Sequence, residues 1–170
     1  HNGCMKSGGQ WYGGWTNFKS DERCSFIIDG QPVVQVDANA MILCLLACFT
    51  GKPMNMIGSF QDVYQAVLFQ MPSIENARDK VKQVVMELVG SGDPYKEKPY
   101  LGSEILDNVD EYIHIRDLCL QAYPALECLN KKRFNYLNDL SYYEADILTQ
   151  ALLSLKKIGV VAYPVHDCLI

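Results

Sequence analysis

The stretch from Val33 to Phe49 limits the fold most, because one acid stands there between two apolar runs. The β-branched run Val33-Val-Gln-Val ends in Asp37 and predicts a strand. Ala40-Met-Ile-Leu-Cys-Leu-Leu-Ala-Cys-Phe49 carries no charge and predicts a buried helix, ended by Gly51 and Pro53. That run is about half of what a membrane span needs, so no membrane partner is expected. Asp37 thus falls between a strand tip and a helix start. It is either the N-cap of that helix or an acid presented to a ligand.

The rest of the pattern predicts an α+β chain. Cys24-Ser-Phe-Ile-Ile and Val33–Asp37 flank Asp29-Gly30, which predicts a hairpin. A second helix is expected from near Ser59, with Asp62 completing its cap, as far as Pro72 and Ser73. A third is expected over 74–89, with Ala77, Val81, Val84, Val85 and Leu88 on its apolar face. A loop over 90–103 and helices over 110–122 and 125–139 follow. Ser141 and Glu144 then read as the capping box of a last helix that carries Leu148, Ala151, Leu152 and Leu155 and ends at Gly159. Val160 to Val165 reads as a strand leading to His166-Asp167. The order of hairpin, helices and strand suits α+β better than alternating βαβ.

Composition narrows the function classes. With 49% hydrophobic and 21% charged residues, a disordered or collagen-like chain is excluded. The net charge of −5 gives no global attraction for nucleic acid, so any phosphate contact must come from locally clustered cations. Seven cysteines, odd in number and without a CxxC, argue against a disulfide framework or a zinc knuckle. They predict a reducing, cytoplasmic compartment. The ends at His1 and Ile170 look cut, so missing N- and C-terminal segments or other subunits are expected.

Two features carry chemistry. Asp167, like Asp37, stands at the end of an apolar strand, and two such acids side by side would make a hard oxygen site suited to magnesium. The plainer reading of Asp167 is a turn residue. In the third helix Arg78, Lys82 and Met86 recur every four residues and make one stripe beside the apolar face, while Lys80 is expected to point to solvent. Arg78 and Lys82 could hold a triphosphate with Met86 under a base, or could be a solvated basic face.

Taken in order, these segments resemble the palm and fingers of family A DNA polymerases and the related single-subunit phage-type RNA polymerases. Val33–Asp37 with its helix resembles motif A. Arg78-Asp-Lys-Val-Lys82-Gln-Val-Val-Met86 resembles motif B on the fingers helix, and Val165-His166-Asp167 resembles motif C. Glu144 to Leu153 is similar to the helix that leads into motif C, and Gly8-Gly9-Gln10-Trp-Tyr-Gly-Gly-Trp15 to the primer–template loop before motif A. A comparable loop occurs in polymerase-like palm proteins of phages and integrated elements.

The resemblance implies an antiparallel palm sheet with packed helices and a fingers-like helix, a fragment of a larger polymerase fold. Its parts would be a primer/template-type loop over 1–22 and a palm hairpin with the motif A helix over 23–58. Fingers-like helices would span 59–103, and palm helices with the motif C strand 104–170. The implied function is DNA polymerase-like nucleotidyl transfer on a primed nucleic-acid template, in a phage or mobile-element host cell. Asp37, Asp167 and the carbonyl of Ala38 would hold two magnesium ions, one activating a primer 3′-hydroxyl and the other stabilising the leaving pyrophosphate. Arg78 and Lys82 would bind the nucleoside triphosphate, Lys82 also as proton donor, with Met86 and Ile42 lining the nucleotide. Gln10 and His166 would touch primer and template.

This chain departs from the pattern at Gln10 (usually Arg), Ile42 (usually Glu or His), Gly90 (usually Tyr) and Cys168 (usually Glu or Ser). Those departures keep two alternatives in play: a catalytically impaired nucleic-acid-binding module, and a phage-type RNA polymerase or primase relative.

Overall fold

The computed structural model describes residues 11, 13–38, 40–54, 62–99, 108–129 and 136–170. Among them the chain is mixed α+β, with two small antiparallel sheets and mostly short strands. It divides into two compact units, one drawn from His1–Met41 with Asn138–Ile170, the other from Ile42–Leu137. Among the described residues no helix is long and apolar enough to cross a membrane.

In the first unit a short helix, α1 (Ser20–Arg23), precedes strands β1 (Ile27–Ile28) and β2 (Gln31–Pro32). These pair in the register Ile27↔Pro32 and Ile28↔Gln31 around Asp29-Gly30. Both loop residues take left-handed angles, φ 50° and 77°, as a two-residue turn matched to strand twist requires. The hairpin is therefore present, but its second arm is Gln31–Pro32 and not Val33–Asp37. With only two residues at the turn, the ladder reaches Gln31 first, and Val33 adds one further bond, its N–H to Phe26 O at 3.3 Å.

The far end of the Val33–Asp37 run serves a different sheet. Strand β3 (Val36–Asp37) pairs with β5 (Cys168–Leu169), which also pairs with β4 (Pro164–Val165), giving the order β3-β5-β4. Tyr163 and Ile170 exchange main-chain bonds at 2.8 and 3.0 Å, so the β4–β5 hairpin closes over His166-Asp167. The expected strand over 160–165 is thus short, because the rungs stop at Tyr163. Val165, Cys168 and Ile170 share one face and form a small core with Trp15 and Phe26 against it. Trp15 also donates its Nε1–H to Pro164 O at 2.7 Å and stacks on Tyr163 at 5.0 Å between ring centroids.

The second unit is helical. Helix α2 (Met41–Thr50) begins at the unit boundary and ends at Gly51, which takes φ 64°. It is followed by α3 (Gln65–Leu68), α4 (Ala77–Ser91) and α5 (Val109–Ala122), and Pro124–Cys128 forms a 3-10 turn. Val81, Val84, Val85 and Leu88 of α4 are fully buried, as are Tyr112, Ile115 and Cys119 of α5. The Tyr123 hydroxyl donates to Val63 O at 2.9 Å. The second helix is much shorter than its expected span, and Ser59 lies outside the described residues. Asp62 nevertheless caps locally, its Oδ1 accepting the Tyr64 N–H at 3.1 Å. Gly90 stays helical, and the helix ends instead at Gly92 (φ 64°), whose N–H reaches Leu88 O at 2.9 Å. A glycine inside a helix is tolerated at about 1 kcal/mol, whereas the left-handed cap favours glycine strongly.

Two expectations about side chains and helix ends are corrected. Lys80 does not point to solvent: its Nζ lies 2.7 and 2.9 Å from the two carboxylate oxygens of Glu111 on α5. The capping box at Ser141 and Glu144 is absent as well, because α6 runs unbroken over Tyr136–Lys157 and Glu144 is buried within it. No glycine or proline stands between Tyr136 and Ser141 to stop the helix. Of the separate helix expected over 125–139, the start is the 3-10 turn, 136–139 belong to α6, and 130–135 lie outside the described residues.

Two stability measurements check these assignments. Ser141→Pro should cost about 3 kcal/mol in chemical denaturation, since a proline inside a helix removes a bond and clashes; a near-neutral result would mean that the helix starts there. Lys80→Ala should cost about 1–2 kcal/mol by leaving the half-buried Glu111 carboxylate unpaired, against less than about 0.5 kcal/mol for Lys82→Ala.

Candidate functional site

The strand ends that carry the acids singled out by the sequence are joined by the β3–β5 ladder. Asp37 sits directly opposite Cys168, the residue that follows Asp167. The ladder extends one step further, where the Ala38 N–H donates to the Asp167 carbonyl at 3.3 Å. Asp37 is exposed and Asp167 half-buried. His166, also exposed, opens the turn with φ 52°, a left-handed angle that a two-residue hairpin demands of a non-glycine here. Asp167 is thus a turn residue, and the same tight loop brings its backbone to the strand carrying Asp37.

Cys168 reports the local field. Burial pushes its thiol above the ordinary value of 9.0, the Arg23 guanidinium pulls it down, and the Asp167 and Asp37 carboxylates push it up again. A cation and both acids therefore stand within electrostatic reach of one buried sulfur. Arg23 was not anticipated from the sequence. Its Nη1 donates to Phe18 O, and its Nε is buried without an acceptor among the described residues. Nothing in its spacing from Asp37 announces this, because α1 and the β1–β2 hairpin together return it to the sheet.

The residues present fit a magnesium site in their chemistry. Two carboxylates and the Ala38 carbonyl are hard oxygen donors, and the exposure of Asp37 leaves room for water or phosphate oxygens. Cys168 adds no donor of that kind, since its thiol is soft, protonated and only 4% exposed. Among the described residues no group of three or more His, Cys, Asp and Glu side chains converges.

The basic stripe belongs to the second unit. Arg78, Lys82 and Met86 are all exposed along α4, beside the buried valines. Lys82 has no ion-pair partner among the described residues. Arg78 is engaged, its Nε donating to Asp62 Oδ2 at 2.8 Å and its guanidinium lying 5.5 Å from the centre of the Tyr64 ring. The hydrogen bond to Asp62 raises the Arg78 pKa further, so its charge is permanent. Burial pushes the Tyr64 phenol up to about 12, so it stays neutral beside that charge. Spacing does not signal the Asp62–Arg78 pair, whose members are far apart along the chain and meet only when α3 packs near α4. Ile42 is half-buried in the first turn of α2, and Gln10 lies outside the described residues.

Thiol chemistry offers a direct check on the sheet. Iodoacetamide at pH 8 should alkylate the exposed Cys24 and Cys48 quickly, and Cys168 at least about tenfold more slowly, as read by peptide mass spectrometry. Equal rates would mean that the Val165–Cys168–Ile170 core is open. In comparisons with known proteins, no family model matches the chain, and neither a curated protein nor a solved structure matches it.

Proposed function

We propose that the chain is the core, or part of the core, of a template-directed nucleotidyltransferase that resembles family A DNA polymerases. Its substrates would be nucleoside triphosphates and a primed nucleic-acid strand. The observation that carries the reading is the antiparallel pairing of β3 with β5, which joins the ends of two acidic motifs from opposite parts of the sequence. A hairpin turn and a strand tip can each hold an acid for local reasons, but their pairing in one ladder brings the backbones of both acids to neighbouring strand ends, which supports the reading.

Asp37, Asp167 and the Ala38 carbonyl would hold magnesium ions, which when bound supply charge neutralisation and a lowered pKa for a primer hydroxyl. The protein's own part is positioning. Arg78 and Lys82, one helical turn apart, would grip the triphosphate, and Lys82 would pass a proton to the departing pyrophosphate. Met86 would lie against the base. Ile42 would face the sugar with no polar atom to offer a 2′-hydroxyl. His166, exposed at the turn, would meet the primer terminus, and Gln10 would contact the strand through its amide.

One observation favours a second reading. Cys168 stands buried and neutral where the resembled family carries Glu or Ser, so the site lacks a third hard side-chain donor. That suits a nucleic-acid-binding module whose turnover is impaired.

Primer extension with magnesium and all four deoxynucleotides separates these readings. The chain should extend a primed template, and Asp167→Ala should lower the rate on the order of a hundredfold or more. Template binding without extension in either protein supports the impaired module. Equal extension by both proteins removes Asp167 from the chemistry and ends the proposal. Synthesis from ribonucleotides without a primer would point to the phage-type RNA polymerase or primase relative.

A further inference from the structure

The Asp62–Arg78–Tyr64 arrangement asks for an explanation beyond that of a surface ion pair. The Asp62 carboxylate is fixed at both ends. Its Oδ1 takes the Tyr64 N–H at 3.1 Å and its Oδ2 takes the Arg78 Nε–H at 2.8 Å. The Tyr64 ring beneath the guanidinium is only 3% exposed, so the surface against which Arg78 rests is held by the core. The Arg78 side chain is still 50% exposed. Asp62 thus takes the inner edge of a planar fork that has two. The outer edge, made of the two Nη groups, has no partner among the described residues.

We infer that Asp62 is a positioning residue: it turns the Arg78 guanidinium so that its Nη edge faces outward as a ready-made, two-pronged receptor for phosphate oxygens. This inference rests on the reading of α4 as a triphosphate-binding helix and adds what orients its arginine. A free arginine loses rotamer freedom when it binds, whereas one already clamped at Nε and stacked on a ring loses less. Lys82, one turn along, is an unclamped ammonium whose charge acts without a fixed direction. The division of labour is therefore a directional donor at 78 and a mobile charge at 82.

The opposing possibility is that Asp62 competes with phosphate for Arg78, and the two give opposite signs. The test measures dATP binding to the 170-residue chain and its variants, with deoxyadenosine as the control ligand. Asp62→Asn keeps the shape and the acceptor for the Tyr64 N–H, and thermal melts verify that it folds. If Asp62 positions Arg78, Asp62→Asn weakens dATP binding about fivefold and leaves deoxyadenosine binding unchanged. In an Arg78→Ala background the same change then has no further effect.

Tighter dATP binding by Asp62→Asn would show competition and overturn the inference. An equal loss with and without Arg78 would overturn it too, because Asp62 would then act through the loop alone. Both outcomes leave the reading of α4 standing so long as Arg78→Ala itself weakens dATP binding. If Arg78→Ala binds dATP like the parent chain, the nucleotide reading of α4 falls and the inference with it.

Discussion

The pairing of β3 with β5 is the constraint on which the candidate chemistry depends. It consists of two rungs, Val36↔Leu169 and Asp37↔Cys168, and one further bond from the Ala38 N–H to Asp167 O. Strands this short cannot hold a register by hydrogen bonds alone, because a slip of one residue would cost few bonds. What is fixed by burial is the β4–β5 hairpin that receives β3. Val165, Cys168 and Ile170 all fall on one face, and Trp15 locks the outer strand by bonding Pro164 O. A one-residue slip of β5 against β4 would move Cys168 and Ile170 to the wrong side and carry Asp167 out of the turn. The turn that carries Asp167 is therefore held by a hydrophobic contact next to it, to which the exposed β3 residues Val36 and Asp37 add nothing.

Much of this was legible locally. Asp29-Gly30 announces its turn because both positions need left-handed angles, and the valines of α4 announce its buried face because the period is that of a helix. The misjudged features are those decided by distant partners. The Val33–Asp37 run is β-forming whatever strand it joins, so its sequence cannot say that β5, from the other end of the chain, takes Val36 and Asp37. Lys80 looks like a solvent residue on its own helix, and only Glu111 on α5 makes it a bridge between helices. Ser141 with Glu144 has the letters of a capping box, yet those letters also sit well inside a helix when nothing upstream breaks it.

The candidate site was legible in the same uneven way. Asp37 and Asp167 stand out because an acid at the tip of an apolar strand is badly placed for packing. Arg78 and Lys82 stand out by their spacing. Their neighbours do not: Arg23, which acts on Cys168, comes to the sheet through a helix and a hairpin, and Asp62 reaches Arg78 because α3 packs near α4. Motif reading finds side chains that would touch a ligand. It passes over those that hold these side chains in place, because the latter are related to them only in three dimensions.

Cys168 brings these lines together. A carboxylate at that position would stand buried opposite Asp37 and next to Asp167, three like charges around one turn, and burying an unpaired charge is expensive. In such an arrangement the hairpin would depend on a bound cation to fold well. A neutral thiol removes that dependence and adds a small apolar group to the core shared with Val165 and Ile170. The same exchange removes one hard oxygen ligand from the edge where the acids meet. At residue 168 the demands of the core and of a cation site are thus in direct opposition, and the 4% exposure of the sulfur shows that the core has prevailed. The two carboxylates stand outside that conflict: Asp37 is exposed and Asp167 lies in the turn.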